Sequence, residues 1–240
     1  MAIYLTELDS NKLWFPSPYE ALQDPNGLLA YGGDLSTDRL LLAYQNGIFP
    51  WYSEDDPILW WSPTPRAVFY PKTFKPSKSL KKFQRKYQYQ VSINMATETV
   101  IDQCAFTRSA DETWLTHEMR LAYKTLAKLG HCHSVEVWHN GMIVGGLYGV
   151  SIGQIFCGES MFSLKTNASK IALWYFCEHF SSMRGKLIDC QVMNKHLKSL
   201  GALELEREEF IQSLLSLKQE KLVASSFKPQ WIKLSSKENP

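Results

Sequence analysis

The sequence predicts a mixed α/β protein, with a small N-terminal α+β domain over residues 1–64 and a larger domain over 65–240. Three observations predict it. The first sixty or so residues are rich in proline, glycine and aromatics around one clear helix. The run SPTPRAVFYPKTFKPS, with prolines at 63, 65, 71 and 76, reads as a junction between domains. Beyond it the hydrophobic period switches from helical to two and back to helical, as expected of strands and helices built into one sheet.

Each element has a local reason. In the N-terminal part Ser36 is a good N-cap, Leu40, Leu41 and Tyr44 give an apolar face, and Gly47 closes the helix. A second helix is expected over 77–87, with Leu80, Phe83 and Tyr87 on one face and Lys78, Lys81, Lys82 and Arg85 on another. A third follows near 116–129. The stretch VEVWHNGMIVGGLYGVSIGQIFCGESMF then reads as three antiparallel strands, turning at Asn140-Gly141 and again at 151–153. Asn167 or Thr166 is expected to cap a long helix that Gly185 ends after Met183-Arg184. LIDCQV is expected as a short buried strand, followed by a helix over 194–200. The sequence holds no internal repeats and no low-complexity tracts.

Composition is that of an ordinary globular protein, with 45% hydrophobic and 21% charged residues. The N-terminus MAIYLTELDS has no basic n-region and no apolar h-region, so no secretory signal is expected. The most apolar helical stretch, around IALWYF, is too short to span a bilayer, so no membrane partner is expected. Five scattered cysteines, never in C-x-x-C, read as reduced thiols in a cytoplasmic protein. Net charge is only +2, yet no Asp or Glu occurs from Pro57 to Thr97, where eight Lys and Arg residues gather. That local excess suits a polyanion.

Candidate chemistry concentrates in two places. Glu159 follows the apolar stretch 154–157, where a buried strand is expected to end. An unpaired ionised group there costs several kcal/mol, so the carboxylate has a task beyond solubility. Asp189 and Gln191 are two apart in LIDCQV and are expected to share a strand face. The bland alternative is a strand-end Asp capping a loop, with Gln191 beside it at the surface. Three tryptophans, Trp51, Trp60 and Trp61, fall within eleven residues, more than a small core needs. Leu173, Phe176 and Phe180 recur at helical spacing, which is a core face by default. Cys190 has no nearby His in sequence and reads as a small buried hydrophobe. His131, Cys132 and His133 lie on extended chain with alternate directions, so no metal site is expected. A coenzyme A user would need a glycine-rich turn before the long helix, and FSLKTNASK has no glycine.

Long and compositionally unusual strings give the chain a family resemblance. They are FPSP at 15–18, NGLLAYGGDLS at 26–36, GIFPWY at 47–52 and ILWWSPTPRAV at 58–68, then GGLYGV, GESMFS and NASK between 145 and 170, and LIDCQV with NKHLKSLGA. In these the chain closely resembles the leucyl/phenylalanyl-tRNA–protein transferases, over almost its whole length up to about Leu203. The resemblance implies an N-acetyltransferase-like (GNAT) fold for the larger domain. It implies transfer of Leu or Phe, and also Met, from aminoacyl-tRNA to the α-amino group of proteins beginning with Arg or Lys, marking them for N-terminus-dependent degradation. No cofactor is then expected, since aminoacyl-tRNA is the co-substrate.

The resemblance also assigns roles. Gln191 would accept a hydrogen bond from the attacking amine and donate to the Asp189 carboxylate, forming a relay. Glu159 joins the site either as a second acceptor for an ammonium group or as a structural carboxylate. Trp51 and Trp114 would grip the terminal adenosine of the tRNA, with Trp60 and Trp61 left as packing. Apart from the resemblance, the acid-free stretch around Lys78, Lys81, Lys82 and Arg85 reads as contacts to tRNA phosphates that do not read sequence, the bland alternative being a solvated face. Leu147, Met161, Leu173, Phe176, Phe180 and Ile188 would wall a pocket for the transferred side chain. Leu147 stands where relatives often carry Met. Two rivals remain at this stage: a transferase using aminoacyl-tRNA on another acceptor such as a cell-wall precursor, and a non-catalytic tRNA-binding module.

Overall fold

A computed structural model of the chain describes residues 4–107 and 115–234. Among these residues, two sheets form. The first holds β1 (Thr6–Leu8), β2 (Leu28–Gly32), β3 (Phe49–Pro50) and β4 (Leu59–Trp61) in the order β1-β2-β4-β3, with α1 (Thr37–Gln45) between β2 and β3. Ser36 caps α1 by accepting from the Arg39 N–H, and Gly47 leaves it at φ +73°, where an L side chain would be strained.

The second sheet begins at β5 (Arg66–Phe69). It continues through α2 (Lys78–Tyr87), β6 (Gln90–Ile93), α3 (Thr97–Phe106), α4 (His117–Lys128), β7 (Cys132–His139), β8 (Met142–Ile152) and β9 (Ile155–Ser163). Then come α5 (Ala168–Ser182), β10 (Leu187–Asp189), α6 (Lys195–Ser199), β11 (Leu203–Leu205), α7 (Arg207–Leu217) and β12 (Gln230–Ile232). The eight strands lie in the order β11-β5-β10-β9-β8-β7-β6-β12, antiparallel throughout except that β10 runs parallel to β9. The antiparallel run β7-β8-β9, the crossover helix α5 and the parallel strand β10 give the mixed α/β, N-acetyltransferase-like layout expected from the sequence.

The segment expected as an inter-domain junction is in part an inner strand. Arg66–Phe69 pairs with both β10 and β11, because Ala67, Val68 and Phe69 are apolar enough to be buried on both faces. Elsewhere the outline follows the local signals. Ser77 caps α2, Thr116 caps α4 and Asn194 caps α6, each through its side-chain oxygen. Asn167 precedes α5 as expected but takes φ +64° and makes no side-chain cap. The second hairpin turns one residue later than expected, at Gly153 and Gln154, so β8 extends to Ile152.

The two faces of the large sheet bury separate cores. One packs α5 against Val135, Leu147, Phe156 and Ile188. The other packs Tyr148, Val150 and Leu187 against α3 and α4 and continues into Leu40, Tyr44, Ile48 and Trp60 of the first sheet's layer. The first sheet therefore has no sealed core of its own.

A bulge interrupts the pairing of β8 with β9. Gly149 faces Gly158 and Tyr148 faces Ser160, so Glu159 is the extra residue. Ile155 and Cys157 belong to one core, while Met161, at the same alternation, packs against the other. The bulge thus reverses which side chains face which layer. Its geometry demands glycine at 149, where a Cβ would stand 2.2 Å from the Cys157 carbonyl oxygen. Gly149→Ala is expected to destabilise the protein by about 1–3 kcal/mol, the usual cost of forcing an atom into packed structure. A urea titration reads this as a lower midpoint; an unchanged midpoint would mean that the bulge yields freely.

Candidate active site

β10 stops at Asp189, paired with Cys157, whereas β9 runs on to Ser163. Where the two strands part, a cavity of about 660 Å³ opens. It is lined on apolar surfaces by Leu147, Phe156, Met161, Leu173, Phe176 and Ile188, and on polar ones by Glu159, Ser160, Asn194 and His196. Glu159 lies mid-strand in the bulge and not at a strand end as expected, because the apolar run 154–157 is only the first part of β9.

Asp189 is held by an arginine that sequence reasoning left as one member of a basic stretch. Arg66 Nε donates to Oδ1 and Nη2 to Oδ2, each at 2.8 Å, and both residues are 1% exposed. The third arm of the guanidinium, Nη1, donates to the Gly47 carbonyl at 3.0 Å. Its Cζ lies over the rings of Phe49 and Phe210, 4.9 and 4.5 Å from their centroids. One side chain therefore ties α1's end, β3, β10 and α7 together. The signal was available: Arg66 opens the otherwise apolar strand RAVF, where an unpaired charge would not be tolerated.

The relay expected between Asp189 and Gln191 is different in the structure. Gln191 lies beyond β10 at φ +65°, so the two residues do not share a strand face. Its backbone N–H donates to Asp189 Oδ1 at 2.9 Å, while its side-chain Nε2 donates to Glu159 Oε1 at 2.9 Å. With both oxygens of Asp189 occupied by the arginine fork, the carboxamide turns to the other carboxylate. Asp189 fixes the Gln191 backbone, and Glu159 fixes its side chain.

Glu159 is 7% exposed and makes a second hydrogen bond, from the Tyr123 hydroxyl to Oε2 at 2.8 Å. The Tyr123 hydroxyl in turn lies 2.7 Å from that of Tyr44 on α1. Burial pushes the Glu159 carboxyl up to about 7, against the opposing pull of the tyrosine hydroxyls. It therefore changes charge near neutrality while lining a cavity. Tyr44 was read in sequence only as part of α1's apolar face and Tyr123 was not singled out, since each sits on a core-facing position of its helix.

The other expected residues divide. Leu147, Met161, Leu173, Phe176 and Ile188 do line the cavity; Phe180 does not. It lies one turn behind Phe176, fully buried, its ring stacked on Phe176 at 5.1 Å and pressed against Gly185, so it supports the wall from outside. Phe156, which sequence reasoning missed, takes its place, 4.4 Å from Phe176. Cys190 lines the cavity too, but burial and the Asp189 charge push its thiol far above neutrality, which leaves it a poor nucleophile.

Trp60 is fully buried, and its Nε1 donates to the Gly32 carbonyl. Trp51 keeps 43% of its surface exposed and is braced by Trp61, whose Nε1 donates to the Trp51 carbonyl at 2.6 Å. Trp114 lies outside the described residues. On α2, Lys78, Lys82 and Arg85 are exposed and Lys81 is half-buried, while Leu80 and Gln84 face inward. Among the described residues no cluster of three or more His, Cys, Asp or Glu is placed to hold a metal ion, and no helix is long and apolar enough to cross a membrane.

Residues 68–215 match the family profile described as leucyl/phenylalanyl-tRNA protein transferase, and residues 33–64 match that of its N-terminal domain. A leucyl/phenylalanyl-tRNA–protein transferase of Vibrio parahaemolyticus is 70% identical over 230 residues, covering 96% of this chain and 97% of that one. Another, from Photobacterium profundum, is 61% identical over 234 residues, covering 98% and 99%. Among solved structures, a conserved protein of unknown function from Bacteroides thetaiotaomicron aligns over 70% of this chain and 58% of its own, at 13% identity and a TM-score of 0.43, too distant to carry an argument. The sequence matches run across both sheets and the cavity between β9 and β10: the chain belongs to the leucyl/phenylalanyl-tRNA–protein transferase family and is an aminoacyltransferase.

Proposed function

We propose that the protein transfers Leu or Phe, and also Met, from aminoacyl-tRNA to the α-amino group of proteins beginning with Arg or Lys. The relatives' name pairs leucyl- and phenylalanyl-tRNA with a protein acceptor, and the cavity suits that pairing. The observation that carries the reading is one cavity joining an apolar wall to a carboxylate that titrates near neutrality and is hydrogen-bonded to a carboxamide. The ester of aminoacyl-tRNA supplies its own activation, so no cofactor is invoked. On this reading the reaction takes place in the cytoplasm, and its product is marked for N-terminus-dependent degradation.

The residues divide the work as follows. The acceptor's α-ammonium group donates to Gln191 Oε1, the end of the carboxamide left over once Nε2 is committed to Glu159. Glu159 takes one proton from the nitrogen, and the neutral amine attacks the ester carbonyl carbon. The C–N bond forms as the C–O bond to the ribose breaks. The second proton shed by nitrogen goes to the departing ribose oxygen, and Glu159 releases its own to solvent. Base and substrate are matched: the carboxyl sits at about 7, and an α-ammonium at roughly 7.7–8.0. Asp189 acts through Arg66 and the Gln191 backbone and is a positioning residue.

The donor's side chain enters between Leu147, Met161, Leu173, Phe176 and Ile188. Apolar walls discriminate by only about 1–3 kcal/mol per methylene, so selection among donors is graded. Trp51, exposed and braced, offers a face to the terminal adenosine, and the basic face of α2, Lys81 included, holds tRNA phosphates.

Two expectations follow. In a transfer assay with Leu-tRNA and an Arg-initiated peptide, the wild-type rate rises with pH through about 7, because burial keeps Glu159 protonated below that point. Glu159→Gln lowers the rate by about 10²–10⁴-fold and leaves a pH dependence that follows the amine alone, near 7.7–8.0. A Glu159→Gln enzyme of parental rate and profile would remove Glu159 from the chemistry, and failure of the wild-type protein to extend the peptide would overturn the function. Changing Lys78, Lys82 and Arg85 together to Glu weakens tRNA binding and lowers the slope of log K against log salt by up to roughly 0.9 per lost contact, the duplex-DNA figure. An unchanged slope would make that face merely solvated.

A further inference from the structure

The carboxylate used in the proposed chemistry is not held by the larger domain alone. Tyr44, on α1 between two strands of the first sheet, reaches Tyr123 on α4, and Tyr123 reaches Glu159. Tyr44 and Tyr123 are each 1% exposed and Glu159 is 7% exposed, so this chain of oxygens runs inward from the cavity with little contact with water. Tyr44 is anchored by its place in the core beside Leu40, Ile48 and Trp60. Nothing in simple packing calls for two hydroxyls there, because a phenylalanine at either position would fill nearly the same volume without burying a polar group.

We propose that Tyr44 and Tyr123 are positioning residues for Glu159: a hydrogen-bonded pair, contributed from outside the β9–β10 cleft, that orients the carboxylate and stabilises its ionised form. This inference rests on the transferase reading of the site. It gives the N-terminal layer a part in the chemistry, as supplier of the hydroxyl farthest from the cavity.

The chemistry of the pair supports the direction. Tyr123 donates to Oε2, and the Tyr44 hydroxyl, donating to the Tyr123 oxygen, strengthens that donor by polarising it. Both tyrosines have their ionisation pushed well above the ordinary phenol range by burial and by the Glu159 charge, so they remain donors throughout the working pH range. Each donor stabilises the carboxylate over the carboxylic acid. Other groups also bear on Glu159. Asp189 disfavours its charge and Arg66 favours it, from the β10 and β5 side. Cys157 and Cys132 are held as thiols by burial. Tyr148 on β8 lies 5.5 Å from the Tyr123 ring, and His196 lines the cavity mouth.

The test uses the full chain with Tyr123→Phe and, separately, Tyr44→Phe, each checked for folding by urea denaturation. The Glu159 carboxyl is titrated directly by carbon-13 NMR of glutamate-labelled protein, its signal assigned by its loss in Glu159→Gln. In parallel, the pH profile of leucine transfer to an Arg-initiated peptide is measured. Tyr123→Phe is expected to raise the carboxyl titration by about one to two pH units, the worth of one hydrogen bond to a charged group. Tyr44→Phe should raise it by less, in the same direction, and the acidic limb of the transfer profile should move with it. An unchanged carboxyl titration in folded Tyr123→Phe would overturn the proposal. If the titration moves while the transfer profile does not, the tyrosine pair stands as described and Glu159 is not the proton acceptor, so the two readings fail separately.

Discussion

The buried pair of Arg66 with Asp189 is the constraint around which the site is built. Both charges lie out of water, and such a pair is tolerated only when every donor and lone pair is used with good geometry. Here the guanidinium spends two arms on the carboxylate and one on the Gly47 carbonyl, while the rings of Phe49 and Phe210 pack against it. The contacts come from the end of α1, from β3 and from α7, so the pair fixes the first sheet's layer against the second. It also fixes the chain leaving β10. The same Oδ1 that accepts from Arg66 accepts the Gln191 N–H, which holds that residue at φ +65° with its side chain turned toward Glu159.

Two carboxylates a short distance apart therefore live in opposite environments. Asp189 faces a full positive charge with its oxygens saturated. Glu159 faces a glutamine and a tyrosine, both neutral, and burial raises it to about 7. Burial among neutral donors is how a carboxyl comes to titrate near neutrality, and only Glu159 sits in such surroundings. The division recommends Glu159 over Asp189 as the group that handles protons, and it explains why the glutamine bridges toward Glu159.

Much of this was legible in the sequence, and the rest had physical reasons for staying hidden. Capped helices such as α2 and α4 and the Asn140-Gly141 hairpin follow from local chemistry, so their positions could be read directly. The apolar wall was legible for Leu147, Met161, Leu173, Phe176 and Ile188 because the family resemblance selected one face of α5 and its neighbours. Phe180 shares that helical face, yet falls behind Phe176, since periodicity gives a direction but not a depth. The Asp189–Gln191 geometry was misread because spacing of two assumes a continuing strand, and the strand stops at Asp189. Glu159 was found as a residue but misplaced at a strand end, as a bulge cannot be seen in a pattern of alternation that it interrupts. Arg66, Tyr44 and Tyr123 act through partners distant in sequence, Asp189 lying 123 positions from Arg66 and Tyr123 lying 79 from Tyr44. Such pairings are settled by tertiary packing alone.

If Asp189 serves by holding Arg66 and the Gln191 backbone, its charge is dispensable once the partner charge is removed as well. The direct measurement is the leucine-transfer rate of the double variant Arg66→Gln/Asp189→Asn, a neutral pair that keeps an acceptor for the Gln191 N–H, with folding and Leu-tRNA binding verified. The expected rate lies within about tenfold of the parent, some 1.4 kcal/mol in the barrier. A folded, tRNA-binding double variant slowed by about 10²–10⁴-fold would mean that the Asp189 charge itself takes part in the chemistry, contradicting the assignment of that role to Glu159.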